Sequence, residues 1–228
     1  MPHANAVTRP GRLDLRAALP RLPALLVGLV LFGLGIALMV EAGLGLGSWE
    51  VLHQGIARQT GQEIGTISVL LGIPILALWW PLGERPGIGT LVNVLTIGTA
   101  TNVGITVLPT PPEEAVLARL AVMVAGVAVI AVGSAIYLST DLGPGPRDGL
   151  MTGIAKRFGW SIRSARTAIE LTVLVIGWAL GGSVGLGTVV FAFGIGPLLQ
   201  LALRIFDREG RVGSRRRVEL EGAGVAGE

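Results

Sequence analysis

The sequence predicts an all-α polytopic membrane bundle: six transmembrane helices in two inverted three-span repeats, each repeat with one short re-entrant or interfacial helix. Three observations predict it. Of 228 residues, 51% are hydrophobic and 14% charged, against roughly 25% charged in an average soluble domain; mean hydropathy is +0.69. Six apolar runs approach the length of around 20 residues needed to cross a hydrocarbon core of about 30 Å. The two halves of the chain match without gaps at an interval of 98 residues.

Composition also excludes several classes. The bulk of the chain is too apolar for disorder, and its 35 glycines lack the three-residue period of collagen. With no Cys there is no disulfide framework, thiolate nucleophile or Cys-based metal site. His3 and His53 are the only imidazoles, too few for a multi-histidine centre, so neither a metal nor a cofactor is expected.

Residues 1–20 read as a cytoplasmic tail, 21–108 as the first membrane repeat and 109–118 as an external connection. Residues 119–206 read as the second repeat, and 207–228 as a basic, disordered cytoplasmic tail. The first span is Leu22–Val40. Arginines before it imitate a signal peptide, but the run is long for an h-region, no small-residue site ends it, and it has a counterpart in the second half. The later spans are Ile64–Leu82, Pro86–Leu108, Leu120–Thr140, Ile162–Leu180 with Glu170 inside it, and Val184–Leu203. Placing both termini in the cytoplasm of a bacterial cell, with the bundle in the inner membrane, puts 16 of the 18 basic residues on the inner side. Arg58 and Arg119 are the two exceptions. The pI near 10.5 then reflects topology and anionic headgroups, not nucleic acid.

The duplication concentrates on Gly and Trp, where chance matching of apolar chains would fall on Leu, Val and Ala. Gly45, Gly47, Gly55, Gly61, Trp80 and Gly98 fall on Gly143, Gly145, Gly153, Gly159, Trp178 and Gly196. Three spans is an odd number, so the second half enters the membrane from the opposite side.

Between the first two spans of each half lies a G-x-G loop and a short helix, Gly43–Glu63 and Asp141–Ser161. In the first, Ser48 suits an N-cap; Val51, Leu52, Gly55 and Ile56 form an apolar face opposite Glu50, His53, Gln54 and Arg58. In the second, Pro146 suits the first turn. About 12 residues, roughly 18 Å, cannot cross a bilayer. Glu50 and Asp148 occupy equivalent first-turn positions. They either complement the helix dipole or line a polar cavity between the halves.

Glu170 lies near mid-bilayer, where an ionisable residue is a functional candidate by default, with Arg166 at i−4 as its alternative partner. The candidate solute-binding set is Gly45, Gly47, Glu50, His53, Asn93, Gly143, Gly145, Arg147, Asp148 and Glu170. The expected partners are the lipid bilayer, a small-molecule solute, and a membrane protein or second copy of this chain. A non-transporting scaffold or accessory partner of a membrane-bound complex is the rival reading. No nucleophile or metal constellation points to an enzyme.

Gly45–Gln54 with Thr60–Thr66, Pro86–Gly98, Gly145–Met151 with Ser161–Ile169, and Gly185–Pro197 together resemble the bacterial YczE/YyaS/YitT-like integral membrane proteins, most closely the YczE branch. The resemblance covers residues 20–206 and implies a multi-span inner-membrane protein. It brings no substrate, catalytic residue or cofactor.

Overall fold

A computed structural model describes residues 18–207, together with Gly210 and Val212. The expected tails at 1–17 and beyond 207 lie outside the described residues, apart from those two positions. After a single 3-10 turn at Leu19–Arg21 come eight helices: α1 Leu22–Ala42, α2 Ser48–Thr60, α3 Ile64–Leu82, α4 Ile88–Val107, α5 Val116–Ser139, α6 Pro146–Phe158, α7 Ile162–Ala179 and α8 Leu186–Phe206. No strand occurs among the described residues.

In lipid, apolar faces gain nothing by leaving their surroundings, so helices associate through close packing of small residues. The centre of the bundle follows that rule. α1 and α5 run antiparallel, with a Cβ at Gly28 falling 2.6 Å from Tyr137 N and one at Gly35 falling 2.8 Å from Gly126 O. α4 closes on α1, and α8 on α5. The outward faces stay apolar: Trp80 is 90% and Phe193 80% exposed. An apolar surface of this extent needs a hydrocarbon neighbour.

The 98-residue interval recurs in the backbone. Residues 48–60 and 146–158 are helices with the same bounds after the shift. Positive φ appears at Gly43 and Asp141, Gly45 and Gly143, Gly61 and Gly159, and Gly83 and Gly181. The inter-half contacts are reciprocal as well: α2 packs on α7 and α6 on α3. Gly187 N donates to Leu44 O at 2.7 Å, and Gly89 N to Leu142 O at 2.9 Å.

One contact breaks the reciprocity. α3 packs along α4, where a side chain at Gly65 would overlap Gly98 O; α7 has no comparable contact with α8, and Gly196, the counterpart of Gly98, faces open space.

Among the described residues five helices, with spans Leu19–Ala42, Ile64–Leu82, Ile88–Val107, Val116–Ser139 and Leu186–Phe206, are long and apolar enough to cross a membrane. The other expected span, α7, carries Arg163, Arg166 and Glu170 within its 18 residues. Two details depart from the sequence reading. Helix α5 starts at Val116, not Leu120, so that Arg119 reaches the end of α1 and donates to Ala42 O at 2.8 Å and Gly43 O at 3.0 Å. Arg58 likewise bonds Gly181 O and Ser183 Oγ, so both arginines that break the charge asymmetry serve as hydrogen-bond donors just past helix C-termini.

Ser48 is the first helical residue and not the cap. Gly47 takes the cap position, because a Cβ there would meet Glu50 Oε2 at 2.6 Å and Phe191 Cε1 at 2.9 Å.

Candidate functional site

A cavity of about 220 Å³ lies between the halves. It forms where the short helices point their first turns inward. Gly47, at the start of α2, lies against Phe191 of α8, and Gly145, at the start of α6, lies near Asn93 of α4; each of these partners is five residues inside its own helix. The opposite ends return to the rim: Lys156 Nζ is 2.8 Å from Glu84 Oε1, and Gln59 Nε2 donates to Leu180 O at 3.0 Å.

The walls bring together Glu50, His53, Asn93, Gly145, Arg147, Asp148 and Glu170. At the wall the two halves touch: Arg147 Nη1 stands 2.8 Å from Glu50 Oε1, and the side chain of Glu50 is only 6% exposed. The guanidinium approaches as an ion pair off the hydrogen-bond direction, so Oε1 accepts no hydrogen bond. Arg147 also sits 5.0 Å over the ring of Trp49, a cation–π stack. On the α7 side, Arg166 Nε donates to Glu170 Oε1 at 2.9 Å.

Gly45 and Gly143 stand apart from these walls. Their φ values, 106° and 134°, suit glycine. A Cβ on Gly45 would fall 2.6 Å from Gly185 N, and one on Gly143 3.2 Å from Gly87 Cα. They hold each loop against the helix start of the opposite half. Gly47 is outside the lining too, behind the Glu50 carboxylate.

The sequence reading missed Trp49, Ser134 and Tyr137, which the fold adds to the cavity. Tyr137 is the only tyrosine of the chain, a signal that its position before the second G-x-G loop could have carried. Its hydroxyl donates to Asp148 Oδ2 at 3.4 Å. The indole N–H of Trp49 is buried with no hydrogen-bond partner.

The helix facing expected for α2 is also corrected. Glu50, His53 and Gln54 were set on a polar face opposite the apolar one, yet all three are buried. Long-range docking overrides the local pattern: Gln54 Oε1 accepts from Ser183 N at 2.7 Å, and Glu50 meets Arg147.

Burial, and then the nearby Arg147 charge, hold His53 well below the ordinary imidazole value of 6.5. Desolvation by the surrounding protein raises the Asp148 carboxyl, against opposing pulls from Arg166, the Gly145 backbone, Arg147 and Tyr137, although the residue itself is exposed toward the cavity.

The fold therefore favours neutral His53. Its stabilising share is complete above about pH 6.5 and is lost as pH falls through the lowered value. His53→Gln is expected to remove that acid sensitivity. Thermal unfolding in detergent from about pH 7.5 to about pH 5 tests it, and parallel curves for both proteins would refute it.

The profile of a family described as "Family of unknown function (DUF6198)" matches residues 19–204. An uncharacterized protein of Haemophilus influenzae is 44% identical over 184 residues, covering 81% of this chain and 84% of that one. The uncharacterized membrane protein YczE of Bacillus subtilis is 32% identical over 179 residues, covering 77% and 82%. The uncharacterized protein YyaS of the same organism is 27% identical over 184 residues, covering 80% and 92%. No solved structure matches.

Proposed function

Since this chain belongs to the family of unknown function DUF6198, we propose that it is a six-span inner-membrane protein of two inverted repeats that binds a small polar solute between them and carries it across. Both tails face the cytoplasm in this reading, and no bond in the solute is made or broken.

Two observations support the inverted arrangement: the equivalent helices α1 and α5 run antiparallel, and the loop contacts are reciprocal. For α7 as the sixth span, support comes from the way its polarity is distributed. Arg166 and Glu170 line the cavity and pair with each other, while Leu171, Val175 and Ile176 are exposed as a lipid-facing side would be. Its 18 residues, at 1.5 Å each, extend about 27 Å. Reporter fusions at the two ends test the topology; opposite sides would overturn it.

The solute reading rests on one observation: charged side chains from both halves meet around an open volume. Of these groups Glu50 is buried, and a buried carboxylate is costly unless polar partners meet it. A pure scaffold needs a filled interface here, which the cavity argues against.

The test is a thermal-shift screen of small solutes on the purified protein, followed by flux into proteoliposomes. Glu50→Gln, Asp148→Asn and Glu170→Gln should each weaken binding of any hit by about tenfold or more. Wild-type affinity in all three would remove the site.

A further inference from the structure

We infer that the solute is a small zwitterion, with one ammonium and one carboxylate on a short frame. This deepens the reading above and rests on the cavity being the binding site.

The cavity wall carries charge as opposed pairs, Glu50 with Arg147 at 2.8 Å and Arg166 with Glu170 at 2.9 Å. The fifth charged group is Asp148, bonded by Tyr137. The two pairs cancel, and the one group beyond them is a single carboxyl held by a tyrosine hydroxyl, so charge of both signs faces the space.

A solute that enters between Glu50 and Arg147 must replace what each loses. A carboxylate alone satisfies Arg147 and strands the buried Glu50. An ammonium alone does the reverse. A neutral polar molecule brings no charge to compensate either partner. A zwitterion meets both charges at once and leaves neither uncompensated.

Further polar groups await a partner. The Trp49 N–H is buried and unbonded, and Trp49 as a whole is 6% exposed. Stacked beside Arg147, that N–H adds a donor for a carboxylate. Glu50 Oε1, whose partner is the Arg147 guanidinium at 2.8 Å, is the acceptor an ammonium would take over. The buried side chains of Asn93 and His53 also line the space. Size limits the frame: at about 30 Å³ per water, a volume of about 220 Å³ suits an amino-acid-sized or betaine-sized molecule, not a nucleotide.

The experiment is calorimetric titration of the purified full-length protein. The probes are the common amino acids and glycine betaine, with sodium acetate, methylammonium chloride and urea as single-function controls. At least one zwitterion should bind about tenfold or more tightly than acetate, methylammonium or urea. If acetate, methylammonium or urea binds as tightly as every zwitterion, the cavity remains a binding site and the class is wrong. If no probe binds, the zwitterion class falls, while the solute reading is decided separately by the wider thermal-shift screen.

The double variant Glu50→Gln/Arg147→Met keeps similar volumes without stranding a charge, so it should fold and lose the zwitterion preference. Retained preference in that folded variant would overturn the proposal.

Discussion

Gly98→Ala is expected to destabilise the protein by about 3 kcal/mol, while the same change at its repeat counterpart Gly196 is expected to leave stability unchanged or raise it by up to about 1 kcal/mol. The contrast follows from the one place where the halves differ in packing. A methyl at Gly98 would overlap Gly65 O and crowd Val69 Cγ2 at 2.6 Å, so α3 and α4 must separate. Backbone cannot yield as a flexible side chain can. At Gly196 nothing lies within 4 Å of the added carbon, and alanine is simply the better helix former. Thermal unfolding of the two detergent-purified variants decides the matter. Equal losses at both positions would mean that α7 and α8 close as α3 and α4 do.

Arg147→Met should cost about 3 kcal/mol or more, because it strands the Glu50 carboxylate at a position where that side chain is 6% exposed. Glu50→Gln should cost less, since Arg147 is 25% exposed and keeps its stack on Trp49. Combining the substitutions should recover more than half of the Arg147→Met loss, for the double variant has no buried charge left to compensate. A double-mutant cycle from denaturation midpoints measures this coupling. Strict additivity would show that the two residues do not interact, and the cross-cavity contact would have to be abandoned.

Much of the architecture was readable one segment at a time. The short helices end at Gly61 and Gly159, and their sequence spacing placed both stops. Ile64–Leu82 was delimited to the residue. Both cases depend on neighbours in sequence: apolar run length, a glycine able to take positive φ, a proline tolerated in the first turn. Ser48 shows the limit, since its displacement as cap by Gly47 depends on Phe191, which is more than a hundred residues away.

The candidate site divides along the same line. Glu50, Arg147, Asp148 and Glu170 stood out because ionisable groups are rare in so apolar a chain, and cost makes them conspicuous. Gly45 and Gly143 stood out equally, but pattern alone does not distinguish a loop that touches a ligand from one that fits against a helix start. Trp49 and Tyr137 were hidden because aromatic residues in apolar sequence carry no local mark of what their polar atoms face.

By itself the sequence determined the membrane class, the helix order and the duplication at 98 residues, all properties of composition and local period. Only the tertiary structure decided that the polar face of α2 turns inward, that Arg147 reaches Glu50, and that one helix pair closes while its counterpart stays apart. The physical reason is that a residue's environment in a bundle is supplied by helices distant in the chain. Local periodicity says which face is polar; it does not say whether water, lipid or an opposite charge will meet it.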